Sequence, residues 1–287
     1  DQGRNFTNKI WNATRFALSN LPEGEPATLD DPDDLSLADR WILHRLYHTL
    51  DQINTALRDY EFATYGALLY DFFWRDLCDW YLEAIKPTLN DTQNMQRVAA
   101  TRATLACVLD AALRLLHPAM PFVTEALYQA VIQHIPQRSL PGLTLGEDAA
   151  SCAITPWPIT DATLNNPPSA EAFALMQQIV TALRDMRNSY KIPPRQTIEV
   201  SAATGDQRDI VNALSPWIES LAQVKVKQIA AELDAPGQAA KVNVAEMQWF
   251  GHDLIDTDAE RDRLEKTRQD LQKQRETLAG RLSNEGY

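Results

Sequence analysis

The stretch Tyr60 to Pro87, YEFATYGALLYDFFWRDLCDWYLEAIKP, limits what this chain can fold into more than any other part of it. It holds nine aromatic residues: Tyr60, Phe62, Tyr65, Tyr70, Phe72, Phe73, Trp74, Trp80 and Tyr81. Between Ala63 and Lys86 there is one glycine and no proline, and Leu69, Phe73, Leu77, Trp80 and Ala84 recur at helical spacing, which makes one apolar stripe. Phe72, Asp76, Asp79, Glu83 and Lys86 mark a second, charged side, and Pro87 is expected to end the helix. A helix apolar over more than half its girth must be covered on several sides, so it is expected at the centre of a bundle.

Length and composition set the bounds. With 287 residues, 45% of them apolar, the chain can bury a normal core and should form roughly two domains. Cys78, Cys107 and Cys152 are odd in number and lack metal-ligand spacing, so inert buried thiols in a reducing compartment are expected. No apolar run approaches the ~20 residues of a membrane span, and DQGRNF has neither part of a signal peptide. The protein is therefore expected to be soluble and cytoplasmic, without membrane contact. A start on Asp1 rather than Met suggests a piece of something longer. The net charge of −12 argues against a nucleic-acid binder, but the charge is uneven. Glu23 to Asp39 carries seven acids and no base, whereas Arg261 to Leu282 carries seven bases against four acids. Local surfaces decide where a polyanion docks.

Along the chain, Asn5 to Ser19 is expected as a helix whose buried stripe is Phe6, Ile10, Ala13 and Ala17. The neighbouring stripe, Asn5, Lys9, Asn12 and Phe16, mixes a base, amides and a ring, which suits splayed-out single-stranded bases as well as a solvated edge. An acidic loop from Leu21 to Leu35 leads to Ser36, which reads as an N-cap with Asp39 three residues on, close to a capping box although Asp stands where Glu or Gln is usual. Leu43, Leu46, Leu50, Ile53, Leu57 and Tyr60 then form a packing seam. His44 and His48 have the spacing of a zinc helix but no Glu between them and no third ligand, so no metal site is expected. After the aromatic helix, Asp91 to Leu116 turns Met95, Val98, Leu105, Leu109, Ala112 and Leu116 inward. His117 to Pro121 breaks it, and Pro121 to Ile135 carries Phe122, Ala126, Leu127 and Val131.

Five helices with short joints imply a mainly α protein, an antiparallel bundle over 1–136. A Pro- and Gly-rich linker over 137–168 contains one strand candidate, Ser151 to Thr155. A small α+β module over 169–250 holds a helix from Ser169 to Asn188, strands Thr197–Ala203 and Val224–Ala230, a helix Asp206–Ala222 interrupted at Pro216, and a third strand within Lys241–Trp249. The remainder, 251–287, is a polar helical arm with Leu264, Leu271 and Leu278 every seven residues and Arg268 and Arg275 between them. One leucine per heptad needs a partner helix, expected as the missing second half of a coiled-coil hairpin, and the seam could also pair two copies of an otherwise monomeric chain.

Catalytic constellations are hard to find in the sequence: there is no phosphate-cradling Gly-rich loop and no nucleophile elbow, and Asp76 and Asp79, beside Arg75 and Lys86, are expected as salt-bridged rather than catalytic carboxylates. No catalytic residue and no cofactor are therefore assigned to this chain. By itself the sequence suggests a binding module.

Five stretches, in order, carry a resemblance: Gly3-Arg4-Asn5-Phe6-Thr7-Asn8-Lys9-Ile10-Trp11-Asn12 through Arg15-Phe16; Leu37-Ala38-Asp39-Arg40-Trp41-Ile42-Leu43; Cys78-Asp79-Trp80-Tyr81-Leu82-Glu83 to Lys86; His117-Pro118 to Pro121-Phe122; and Leu254-Ile255-Asp256 with the ending Leu282-Ser283-Asn284-Glu285-Gly286-Tyr287. Together they resemble the C-terminal part of class I aminoacyl-tRNA synthetases, the valine-specific ones in particular, over almost the whole chain. The resemblance implies a helical anticodon-binding domain, a small α/β module and a coiled-coil arm reaching the tRNA body. The adenylation motifs, with their ATP and Mg, and the editing domain have no counterpart here, so the chain alone should be inactive. Carried onto matching positions, the anticodon is gripped by Lys9, Asn12, Arg15 and Phe16 on one side and Leu82, Glu83 and Lys86 on the other. Phe16 would stack a base, Asn12 and Glu83 would meet base edges, and Lys9 and Arg15 would hold phosphates. Arg261, Arg263, Lys266, Arg268, Lys273 and Arg275 would contact phosphates of the tRNA body. The equivalent domain of an isoleucine enzyme, or a helical protein-binding scaffold without an RNA role, are the alternatives.

Overall fold

The computed structural model describes residues 2–234, 236–237, 239–254 and 257–282, and in the last helix only the side chains of 265 and 267–278. It is mainly helical with a small sheet module. Two compact units, Asp1–Leu175 and Met176–Tyr287, divide it.

In the first unit, α1 (Gln2–Asn20) buries Phe6, Ile10, Ala13 and Ala17, the stripe its spacing predicts, together with Thr14. The acidic loop carries β1 (Ala27–Thr28) and a 3-10 turn. Helix α2 (Leu37–Arg58) opens on the expected capping box: the Asp39 N–H donates to Ser36 Oγ at 3.2 Å, and the Ser36 N–H donates to the Asp39 carboxylate at 3.0 Å. Leu43, Leu46, Leu50 and Ile53 are buried, but Leu57 is half-buried and Tyr60 is 79% exposed. The seam stops short because α2 ends at Arg58 and Tyr60, at φ 60°, turns the chain.

The aromatic stretch does not form one regular α-helix ending at Pro87. Helix α3 (Phe62–Tyr70) passes into a π-helical segment, Asp71–Tyr81, then α4 (Leu82–Ala84) and α5 (Lys86–Leu89). The Leu82 N–H donates to the Leu77 carbonyl, five residues back. This wider turn changes which residues share a face. The buried pairs Phe72–Phe73, Leu77–Cys78 and Tyr81–Leu82 recur five and then four residues apart. Phe72, placed on the charged side by α-helical spacing, is therefore buried, and Trp80, placed on the apolar stripe, is only half-buried. Pro87 lies in the first turn of α5, where a missing N–H costs no hydrogen bond.

Nor is this helix the centre of the unit. Helix α6 (Met95–Leu116) is: from Ala100 to Leu116 every residue except Arg102 is buried. Its alanines, Ala100, Ala103, Ala106, Ala111 and Ala112, keep its girth small, and α1, α2, α3, α5 and the following helix α7 (Pro121–His134) all pack on it. The π segment leaves Asp71, Arg75 and Asp79 exposed. Asn94 rather than Asp91 starts α6, its side chain accepting the Arg97 N–H, so Met95 sits exposed in the first turn instead of inward. In α7 the inward residues are Thr124, Leu127, Tyr128 and Val131. Phe122, expected inward, is 92% exposed at the helix start, and Ala126 is exposed too.

Beyond α7, β2 (Arg138–Ser139) pairs in parallel with β1, and β3 (Leu143–Thr144) pairs antiparallel with β4 (Ile159–Thr160). The expected strand at Ser151–Thr155 is a 3-10 turn at Cys152–Ile154. Glu125 on α7 decides this: its carboxylate accepts both the Ser151 hydroxyl and the Cys152 N–H at 2.9 Å, which bends the segment back on the helix.

Two buried polar clusters lock the unit. Asp39, fully buried, accepts hydrogen bonds from the Ser36 hydroxyl (2.6 Å), the Tyr81 hydroxyl (2.7 Å) and the Thr101 hydroxyl (2.8 Å), so one carboxylate joins α2, the π segment and α6. Asp110, also fully buried, accepts from Arg114 (2.7 Å) and Arg138 (2.6 Å), and both guanidiniums reach Asp148. All three cysteines are buried and free, and burial raises the thiols of Cys78 and Cys152 to about 12 and about 11. Among the described residues no helix is long and apolar enough to cross a membrane.

Helix α8 (Pro167–Ser189) begins in the first unit and continues into the second. There β5 (Ile198–Ala203), β6 (Val224–Ala230), β7 (Ala240–Val244) and β8 (Met247–Gly251) form a four-stranded sheet in the order β6-β5-β8-β7, with α9 (Arg208–Ala222) connecting β5 to β6. β5 and β6 run parallel, and the other pairs are antiparallel. The single strand expected in Lys241–Trp249 is thus a hairpin, turned at Ala245 with φ 51°. Pro216 lies inside an uninterrupted α9. Arg184 and Arg187 of α8 donate to the carbonyls of Leu221 and Gln223, satisfying the end of α9. Finally, α10 (Thr257–Leu282) is the polar helix expected, with Leu271 60% and Leu278 56% exposed; the side chains of Leu264 and Leu282, and residues 283–287, lie outside the described residues.

Removing one donor from the Asp39 cluster tests its weight. Tyr81→Phe should lower unfolding free energy by about 1–3 kcal/mol in a urea titration, with helix content unchanged. Arg138→Ala leaves Asp110 buried beside a single guanidinium and should cost more, about 3–5 kcal/mol by the same measurement.

Candidate nucleic-acid interface

The second stripe of α1 lies beside the π segment and α4, because Phe6 anchors one helix on the other. Its ring meets Tyr70, Phe73 and Trp74 at centroid distances of 5.0, 6.0 and 6.2 Å. Tyr70 in turn stacks on Trp74 at 5.4 Å. With this ring cluster fixed, residues one and three turns further along α1 face the charged side of the aromatic stretch.

Lys9 is the first of them. Its Nζ pairs with Asp79 at 2.8 Å and stands over the Trp74 ring at 5.1 Å. Burial alone would lower this ammonium, but the hydrogen bond and charge of Asp79 outweigh it and hold Lys9 above its ordinary value, so it stays charged. Seven residues on, Phe16 is half-buried and lies under Lys86, whose Nζ is 5.7 Å from the ring centroid and 2.5 Å from Glu83. Two rings therefore each carry a lysine held by its own carboxylate. Between them Asn12 and Arg15 are exposed. Leu82 is buried and so shapes the floor rather than the surface.

Six of the seven residues expected to grip an anticodon thus stand on or between these two ring–lysine pairs, on α1 and on the end of the aromatic stretch. Tyr70, Trp74 and Asp79 complete the strip, and only Asp79 was visible beforehand, as a salt-bridged acid. Trp74 and Tyr70 fell on neither stripe read from the sequence; the structure sets them four residues apart across the junction of α3 and the π segment, both against Phe6. Asp76, expected to pair within its own helix, pairs instead with Arg45 of α2 at 2.8 Å.

Such a strip can do three things with RNA. A half-exposed ring can stack an unpaired base, an exposed amide can meet base edges, and ammonium and guanidinium groups can hold phosphates. The strip's two carboxylates, Asp79 and Glu83, are each paired with a lysine. His44 and His48 are engaged elsewhere: their rings lie 4.5 Å apart, His48 Nε2 is 3.1 Å from Asn165 Oδ1, and His44 Nδ1 accepts the Asn166 N–H. That acceptor role requires a neutral ring, in keeping with burial and the neighbouring His48 and Arg45 pushing the His44 pKa down.

On α10, Arg268 pairs with Glu265 at 2.8 Å, while Lys273 and Arg275 are exposed. The side chains of Arg261, Arg263 and Lys266 lie outside the described residues.

Residues 39–202 match the family model described as the anticodon-binding domain of tRNA ligase. Among curated proteins, the valine–tRNA ligase of Gloeobacter violaceus is 37% identical over 298 residues, covering 100% of this chain and 31% of the relative. That of Symbiobacterium thermophilum is 35% identical over 297 residues, with 100% and 32% covered. That of Geobacillus stearothermophilus is 35% identical over 288 residues, with 99% and 31% covered. The chain spans about a third of the length of these relatives. The chain belongs to the family of anticodon-binding domains of tRNA ligases.

Proposed function

We propose that this chain is the tRNA-binding C-terminal portion of a valine–tRNA ligase, whose full length attaches valine to its tRNA with ATP and Mg bound in a catalytic domain outside this sequence. Its first unit would read the anticodon and α10 would lie on the tRNA body. The observation that carries this reading is the strip of two ring–lysine pairs on a chain of that family: Trp74 under Lys9 and Phe16 under Lys86. In it Phe16 stacks an unpaired anticodon base, Asn12 and Glu83 meet base edges, Lys9, Arg15 and Lys86 hold phosphates, and Leu82 backs the slot. Exposed Arg268, Lys273 and Arg275, with Arg261, Arg263 and Lys266, would add phosphate contacts along the arm.

The same reading takes 1–136 as an antiparallel bundle, 137–168 as a linker packed on it, 169–250 as the α+β module and 251–287 as half of a coiled-coil arm. In support of the bundle, Asp39–Tyr81 and Arg45–Asp76 cross α2 and the π segment in opposite chain order. In support of the arm, Leu271 and Leu278 face solvent seven residues apart, a seam for a second helix or, in isolation, a second copy of an otherwise monomeric chain. Without catalytic residues of its own the chain would be inactive alone and work in the cytoplasm, where its tRNA is.

Phe16→Ala tests the reading in a fluorescence-anisotropy titration with a valine tRNA transcript. The expected result is a loss of about 1–3 kcal/mol of affinity with unchanged helix content. Unaltered binding would remove Phe16 from the site, and binding of an isoleucine tRNA in preference would assign the domain to that ligase instead.

A further inference from the structure

Next to the strip, and sharing Arg15 with it, α1 carries another face that neither packing nor ion pairing accounts for. Arg4, Asn8, Trp11 and Arg15 follow one another at helical spacing and are all exposed, Trp11 by 46%. Neither guanidinium pairs with a carboxylate among the described residues, in a chain whose net charge is −12. Elsewhere in the first unit Arg40, Arg45, Arg75, Arg114 and Arg138 have acidic partners, whereas Arg58, Arg97 and Arg102, like Arg4 and Arg15, have none among the described residues; what sets the α1 pair apart is the indole between them and the adjoining strip. Two free arginines around a half-exposed indole are what an acidic protein keeps where a polyanion is to settle.

We infer that this outer face of α1 binds the sugar–phosphate backbone of the RNA strand continuing from the bases held at Phe16. The inference rests on the anticodon-binding reading above and extends it to a surface next to the strip. Continuity supports it: Asn8, Trp11 and Arg15 directly adjoin Lys9, Asn12 and Phe16 in sequence, so a strand leaving the Phe16 slot passes onto this face. From Arg4 to Arg15 the face runs about 16 Å along the helix, enough for several nucleotides. Arg4 and Arg15 bridge phosphates, Asn8 hydrogen-bonds a phosphate or ribose hydroxyl, and Trp11 packs on a ribose or an unstacked base. None of these contacts reads sequence.

The experiment uses a valine anticodon stem-loop RNA and an anticodon-swapped copy, titrated against the whole chain at several salt concentrations. Arg4→Gln should reduce the slope of log affinity against log salt by about 0.7, the value of one single-stranded phosphate contact, and weaken both RNAs equally. Trp11→Ala should weaken both by about tenfold. Arg4, exposed in the first turn of α1, carries the test by itself if Trp11→Ala lowers helix content. Wild-type affinity and slope in Arg4→Gln, while the wild-type chain still prefers the native anticodon, would overturn this inference alone. Loss of that preference in the wild-type chain would instead overturn the anticodon reading on which it rests.

Discussion

The first unit hangs on one buried carboxylate. Asp39 closes the capping box of α2 and takes hydroxyls from Tyr81 and Thr101, so a single group sets how far α2, the π segment and α6 slide along one another. Its burial raises its pKa against the pull of those hydrogen bonds, and a carboxylate so placed is tolerated only with its donors present. A shift of Tyr81 by one residue would leave both partners unsatisfied, which makes the register of the π segment specific rather than merely apolar. The same residue stands one turn beyond Leu77 and Cys78, so the lock at Asp39 also fixes where Asp79 and Glu83 emerge on the other side.

The π winding is the second element on which the site depends. Eleven residues, Asp71–Tyr81, adopt it, an uncommon length for this form of helix. It turns Phe72, Phe73, Leu77, Cys78, Tyr81 and Leu82 toward the core while Trp74 and Asp79 come up against α1. A regular α-helix with the same sequence would bury Trp80 more deeply and bring Phe72 out to the charged side. The strip of rings and lysines is therefore a product of helix form and not of side-chain identity alone.

Much of this was legible in the sequence. The 3-4 spacing of Phe6, Ile10, Ala13 and Ala17 and of Leu43 to Ile53 located both seams, and Ser36-x-x-Asp39 located the start of α2. Lys9, Asn12 and Phe16 were set apart as a mixed face by rotation about α1. What hydrophobic spacing could not give was the π period, since it assumes 3.6 residues per turn, and so Phe72 and Trp80 were misplaced and Trp74 was assigned to neither side. It also favoured the most aromatic helix as the centre, whereas close approach rewards the alanine-rich α6, whose small side chains let five helices touch it. The turn at Cys152–Ile154 depends on Glu125, twenty-seven residues away, and the burial of Arg114 and Arg138 depends on Asp110; such long-range partners leave no local signal.

The central claim is that α1 and the end of the aromatic stretch hold an anticodon loop between them. Photocrosslinking tests it most directly: a valine tRNA carrying 4-thiouridine in its anticodon loop is irradiated with the chain, and the crosslinked peptides are mapped. Crosslinks within 5–16 and 74–86 are the predicted result. Crosslinks confined to the second unit, with the strip untouched, would contradict the account.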